Sequence, residues 1–419
     1  MQANKFLRLF FALSFPVFFF ACNNSMEDEL DNDFEFQHVV SYEFLDSIST
    51  NEISARFGGN GLVSGFVNFD ITAHRITYMT ENFDGAEVEA SGLVLIPIVK
   101  GSAKLTSLQH STLAKDANPA IDREDDAPSY LSEDNAEIHL SAALLASNGY
   151  MISAPDYIGY GSTGDMFHPY EHAQTTATTS YDMLVAAREY GEFLKVAMRK
   201  EGDTDVEQLY LLGYSQGGNS TMALHKYIEA NHSTEFNIVR SAMGAGAYHK
   251  TAVGDYIFNY QGDLGYSLSL YLWVMDTYDK VYLQRGLSYY LNEPYATAVI
   301  DSGYFAIVPL NTNPQEIFTD EFIADVNNPN SEFRSALADN DIHDWRAESP
   351  IKLFHSREDA LVPYFNSVDA YENLIANGSE EVLFETYEFG SDVDPESIHG
   401  SAGGRFFIDV ISIYFPSGN

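Results

Sequence analysis

The chain reads as an α/β fold: a mostly parallel central sheet flanked by helices, interrupted by one largely helical insertion. Three observations predict it. Apolar runs of strand length alternate with segments of helical spacing from Leu105 to Met243, and again from Ile351 onward. One of those units, Leu209–Ser220 (LYLLGYSQGGNS), joins a strand to a helix through a G-x-S-x-G turn. Between about Tyr248 and Ala347 the alternation stops, and a stretch dense in Tyr, Leu and Asp replaces it.

The elements follow in order. His74–Thr80 and Glu87–Pro97 have the composition of two strands, with Asp84-Gly85 at the turn between them. Leu105–Gln109 is a third strand and runs directly into His110-Ser111-Thr112. Asn118–Asp134 reads as a loop, and Ala136–Ser147 has helical spacing that ends at Asn148-Gly149. Tyr150–Ala154 is a strand, followed by the Gly-rich loop Pro155–Gly161 (PDYIGYG). Thr175–Lys200 reads as a long helix before the Leu209–Leu212 strand. Asn219–Ala230 is the helix after the turn, and Ile238–Met243 the next strand. Inside the insertion Ser267–Tyr278 is helical. Beyond it come strand Ile351–His355, helix Asn366–Ala376, strand Val382–Phe389 and a last helix Gly403–Tyr414.

With 419 residues, 45% of them hydrophobic, the chain can bury a large core as one domain carrying an insertion. Acidic residues number 61 against 22 basic ones, a net charge of −39. That balance excludes nucleic acid and adsorption to an anionic membrane as modes of binding, and most of the charge simply solvates the surface. No H-E-x-x-H, paired Cys/His spacing or Ca²⁺ loop occurs, so the motifs imply no metal and no cofactor. The single cysteine, Cys22, makes an internal disulfide impossible.

Lys5 and Arg8 precede the apolar, Phe-rich stretch Leu9–Ala21, the pattern of a signal peptide over residues 1–21. Phe19-Phe20-Ala21-Cys22 resembles a bacterial lipobox, in which the cysteine is lipidated; Ala21 fits and Phe19 departs from the usual Leu-type residue. The expectation is an exported lipoprotein held to a membrane only through Cys22, periplasmic or on the outer surface; the alternative is an ordinary secreted protein. The acidic stretch Asn23–Asp33 reads as a tether within residues 22–60. The core is then expected over 61–247 and 348–419, with the insertion at 248–347 as a cap.

A serine hydroxyl is a weak nucleophile and needs a base, with an acid behind it to orient that base. Ser215 is the candidate nucleophile, since the turn lifts its oxygen above the sheet edge at a helix N-terminus. The chain order Ser, acid, His selects His399, the sole histidine after Asp359. Asp359 follows the Ile351–His355 strand, with Glu358 as the neighbour that could displace it; Asp392 and Asp394 are outside candidates. His355 precedes the acid and reads as structural, and His110 as an orienting group. An oxyanion hole takes one N–H from Gln216 and a second from Ser111 or Thr112.

The pieces LQHST (108–112), PDYIGYG (155–161), GYSQGG (213–218), D-x-x-V-P (359–363) and His399-Gly400 together resemble the α/β-hydrolase superfamily, and within it the secretory-lipase and bacterial-esterase branch. Many relatives carry His-Gly where this chain has His110-Ser111, which leaves the second oxyanion donor open. The resemblance implies hydrolysis of a lipid or other acylated ester through an acyl-enzyme, without a cofactor. Deacylation of a polysaccharide, a peptidase, and a surface binding protein that keeps the fold without catalysis are the alternatives. The oligomeric state has no signature in the sequence.

Overall fold

Strands β1 (Val39–Ile48), β2 (Ile71–Glu81), β3 (Glu87–Pro97), β4 (Lys104–Gln109), β5 (Tyr150–Pro155), β6 (Glu207–Tyr214), β7 (Phe236–Gly244), β8 (Ile351–Ser356) and β9 (Val382–Tyr387) form one sheet, ordered β1-β2-β3-β5-β4-β6-β7-β8-β9. The computed structural model describes residues 34–58, 63–113, 126–390 and 393–415. The signal segment, Cys22, the tether, residues 118–125 of the expected loop and Asp392 lie outside the described residues.

Strands β1 to β3 pair antiparallel, and β3 meets β5 antiparallel. From β5 to β9 every pairing is parallel. Helices cover both faces of those strands, so β4 and β5 are buried along their whole length. This is the architecture expected from the alternating pattern.

The helices of the sheet layers are α1 (Thr50–Arg56), α2 (Ala143–Ser147), α3 (Ala173–Phe193) and α4 (Gln216–Asn231). Between β7 and β8 come α5 (Lys250–Phe258), α6 (Tyr266–Tyr278), α7 (Leu287–Tyr290), α8 (Tyr295–Ser302), α9 (Pro314–Ile317), α10 (Asp320–Val326) and α11 (Glu332–Asp339). Helices α12 (Phe365–Ala376) and α13 (Pro395–Asp409) complete the chain's sheet layers. The α5–α11 segment has its own apolar core, centred on Trp273, Tyr278, Tyr290 and Phe322. Its two roots meet where the Ile342 N–H donates to the Tyr248 carbonyl at 3.0 Å.

Several expectations are corrected. The edge strand β1 adds to the expected strands: its short alternation Val40, Tyr42, Phe44 faces an exposed side of the sheet edge rather than the core. The long helix stops at Phe193, not Lys200. Lys195 turns with φ 57°, and the following backbone is used instead for pairing, with the Ala103 N–H donating to Ala197 O at 2.8 Å. Glu137–Ala142 winds as a π-type turn ahead of α2, a distortion found where a side chain is re-aimed. The last helix begins at Pro395 rather than Gly403, so His399 sits on a helix and not in a loop. Burial of Ala402 and Phe406 in the main core overrides the weak helix propensity of the Gly-rich stretch.

Candidate active site

The carboxyl ends of the parallel strands converge on one point. At the end of β6, Ser215 has φ 59° and ψ −122°, a strained conformation for a non-glycine residue. The Ser215 N–H donates to Gly244 O at 2.8 Å, and the Asn219 N–H to Ser215 O at 3.1 Å, which starts α4. The flanking glycines are obligatory: a Cβ on Gly213 would stand 2.3 Å from Gly217 O, and one on Gly217 would stand 2.0 Å from Gln109 O.

Ser215 Oγ lies 2.9 Å from His399 Nε2, and His399 Nδ1 lies 2.7 Å from Asp359 Oδ2. The three residues are 8–9% exposed, so the line of hydrogen bonds is shielded from bulk water. Asp359 follows β8, and its Oδ1 accepts the N–H groups of Leu361 and Val362 at 2.9 and 3.0 Å. Burial alone would raise its pKa. The charge of His399 and hydrogen bonds from His355 and His399 overcome that and hold the carboxyl well below its ordinary value. His355 is the structural group expected: Nδ1 pairs with Ser367 Oγ at 2.8 Å, and Nε2 lies 3.0 Å from Val362 O and 3.3 Å from Asp359 Oδ2. Glu358 is exposed and takes the Ser356 hydroxyl at 3.0 Å, away from His399. Asp394 is exposed, with its carbonyl capping Ser397. Tyr214, inside the turn, donates its hydroxyl to His399 O at 2.7 Å and so anchors the helix that carries the histidine.

Of the two amides expected as candidates for a second oxyanion donor, one is already engaged. The Ser111 N–H is engaged, donating to Glu137 Oε2 at 2.9 Å, and the Ser111 hydroxyl reaches Tyr214 O at 3.0 Å. Ser111 is therefore corrected from a candidate donor to a brace between the two loops. The Thr112 amide makes no hydrogen bond among the described residues, and its hydroxyl pairs with the Tyr170 hydroxyl at 2.8 Å. Glu137 is fully buried, and that burial pushes its carboxyl up to about 7.

Gln216 is held by a residue that sequence reasoning missed. Its Nε2 lies 2.8 Å from His168 Nε2, and His168 Nδ1 lies 2.7 Å from Ile158 O. The carbonyl requires the proton on Nδ1, so Nε2 accepts from the Gln216 amide. Burial drives the pKa of His168 down to about 3, which keeps it in that neutral form. His110 behaves as the orienting group expected. It is buried, packs on the Tyr157 ring at 4.1 Å, and sets Nδ1 2.6 Å from Ser111 O and Nε2 3.2 Å from Asp156 O.

His168 opens a short segment, His168–His172, that ties the site to the helical insertion. Tyr170 stacks on Trp273 of α6 at 4.3 Å, and Glu171 forms a buried ion pair with Lys250 of α5. His172 Nε2 lies 3.0 Å from the Tyr282 hydroxyl. From α6 the Tyr271 hydroxyl donates to Leu361 O at 3.2 Å, beside Asp359. The only sequence signal for these contacts is a cluster of polar and aromatic residues before a helix, which many loops share.

No family model and no curated protein sequence matches the chain. Solved structures do. The rice cell wall degrading esterase LipA of Xanthomonas oryzae superposes with a TM-score of 0.74 at 25% identity, over 90% of this chain and 98% of that one. A hydrolase-like protein of Legionella pneumophila gives a TM-score of 0.73 at 23% identity, over 91% and 100% of the two chains. Lipase A of Candida antarctica in its closed state gives 0.62 at 14% identity, over 90% and 83%, a likeness of fold.

Proposed function

We propose that this chain, an α/β-hydrolase by fold, is a serine hydrolase that cleaves carboxylic esters through an acyl-enzyme. The observation that carries the proposal is the unbroken line Ser215 Oγ–His399 Nε2 and His399 Nδ1–Asp359 Oδ2, at 2.9 and 2.7 Å. His399 takes the Ser215 proton on Nε2 as Oγ attacks the ester carbonyl carbon. Asp359 accepts the Nδ1–H, which fixes the tautomer and stabilises the imidazolium. The amides of Gln216 and Thr112 receive the oxyanion. The intermediate collapses, the ester C–O bond breaks, and His399 gives its proton to the leaving alkoxide. Water, activated by the same histidine, then hydrolyses the acyl-serine and regenerates Ser215.

The test is labelling of the protein and of Ser215→Ala with a fluorophosphonate probe, followed by an ester panel of graded acyl length. Labelling of the parent alone, with turnover of esters, is the expected result. A folded parent that resists the probe overturns the reading in favour of a binding protein.

A second substrate class, acylated polysaccharide, draws support from the likeness to the Xanthomonas cell wall degrading esterase. Release of acyl groups from an acylated plant polysaccharide, faster than from a simple ester of the same acid, would select it. We further propose that Cys22 carries a lipid anchor, on the strength of the signal-like segment before it. Labelling with a clickable palmitate analogue that disappears in Cys22→Ser is the expected outcome, and labelling that persists overturns it.

A further inference from the structure

At the two roots of the helical insertion, His249 stands just before α5, and Asp341 and His343 stand just after α11. A ring nitrogen of each histidine and a carboxylate oxygen of Asp341 all lie within 4.8 Å of one another. Two features set this trio apart from an ordinary polar cluster. His343 is 7% exposed, and its Nδ1 is buried without a hydrogen-bond partner among the described residues. A buried ring nitrogen in that state is costly, and a missing ligand is one way to satisfy it. The other two groups are already braced from behind. His249 Nδ1 lies 2.7 Å from Asp369 Oδ2 on α12, which leaves Nε2 as the ring nitrogen that would bind an ion. Asp341 accepts the Thr251 N–H at 3.0 Å and the Thr251 hydroxyl at 2.6 Å. A carboxylate behind a histidine and donors behind an aspartate are how metal ligands are oriented.

We propose that His249, Asp341 and His343 bind a divalent transition metal of the zinc class. Two imidazoles and one carboxylate suit that ion, with the remaining coordination completed by water. Donors around a tetrahedral zinc sit about 3.3–3.6 Å apart for bonds of about 2.0–2.2 Å. The widest pair must therefore close by up to about 1.5 Å. The two rings now stack at 3.7 Å and 20°, so binding splays them until their lone pairs converge. His249 is 24% exposed, which gives an ion a way in, and the net charge of −39 favours a cation. The site shares no residue with the Ser215–His399–Asp359 line. The metal would pin the outgoing and returning chain of the insertion to each other and, through Asp369, to α12. No spacing motif announces the site, because the whole insertion separates His249 from Asp341.

The experiment uses the full chain, stripped with a chelator and titrated with Zn²⁺ by calorimetry, with Co²⁺ as a spectroscopic probe. One Zn²⁺ per chain is expected, with a Tm that rises on binding and a Co²⁺ spectrum showing imidazole ligation. Asp341→Asn and His343→Ala are each expected to weaken binding at least tenfold and to abolish the Tm rise. Asp341 is only partly buried, so Asp341→Asn carries the test if His343→Ala fails to fold. No saturable Zn²⁺ binding by the parent overturns the proposal, and so does binding left unchanged by Asp341→Asn. Neither readout depends on ester turnover, so this proposal and the hydrolase reading fail separately.

Discussion

The sheet edge and the helical insertion hold their side chains in place by different means. At the sheet edge the backbone does the work. Ser215 is set by a strained φ and by glycines that admit no Cβ, and Asp359 by two N–H donors from its own loop. Few residues satisfy such demands, so the sequence there is nearly dictated. The insertion is held by an apolar core whose members could be exchanged for others of similar volume. It reaches the site through side-chain contacts, those of the segment His168–His172 and that of Tyr271 with Leu361 O. A region fixed by backbone geometry leaves a motif, and a region fixed by packing leaves only a composition.

The comparison breaks first if the sheet edge is not where the chemistry happens. Asp359→Asn is expected to lower kcat for a short ester by roughly 10³–10⁴-fold with KM little changed, and Ser215→Ala by at least as much. Steady-state kinetics on folded protein check both.

The next largest effect lies at the seam between the regions. Lys250 and Glu171 are 1% and 6% exposed, so Lys250→Met leaves a carboxylate buried without its partner. A loss of about 3–5 kcal/mol in urea unfolding is expected, and the double replacement Lys250→Met with Glu171→Met should recover most of it. Additive losses would show that the two residues do not act as a pair.

Glu137 sharpens the comparison through pH. Its carboxyl holds a proton up to about pH 7 in the folded chain, against an ordinary value of 4.5. The folded state therefore binds more protons than the unfolded state between those values, and stability falls as pH rises through that window. The loss amounts to about 3 kcal/mol. Glu137→Gln keeps an acceptor for the Ser111 N–H, and its stability should be flatter between pH 4.5 and 7. Parallel profiles for parent and variant would contradict the assignment.

The smallest effects are expected along the segment that carries His168. His168→Ala frees the Gln216 side chain and should lower kcat about 10–100-fold through misplacement of the proposed oxyanion donor. Tyr282→Phe, on the insertion side of the same segment, should leave kcat within about twofold, since it removes two partly buried hydrogen bonds, to His172 and Asn340, away from the reacting atoms. Equal effects at both positions would erase the distinction between the two regions.

The sequence by itself determined the alternating sheet and the turn at Ser215. It also set the chain order in which Asp359 and His399 follow that turn. These rest on local requirements: a strand's length, a glycine where no Cβ fits, a loop after a parallel strand. The tertiary structure alone engaged the Ser111 amide and not that of Thr112, because Glu137 reaches the first from another element. It alone put His399 on a helix, where core burial outweighs local propensity. It alone brought His168 to Gln216, and His249 to Asp341 and His343. Each of those contacts joins residues distant along the chain, and the free energy of such a contact exists only once packing has closed the loop between them.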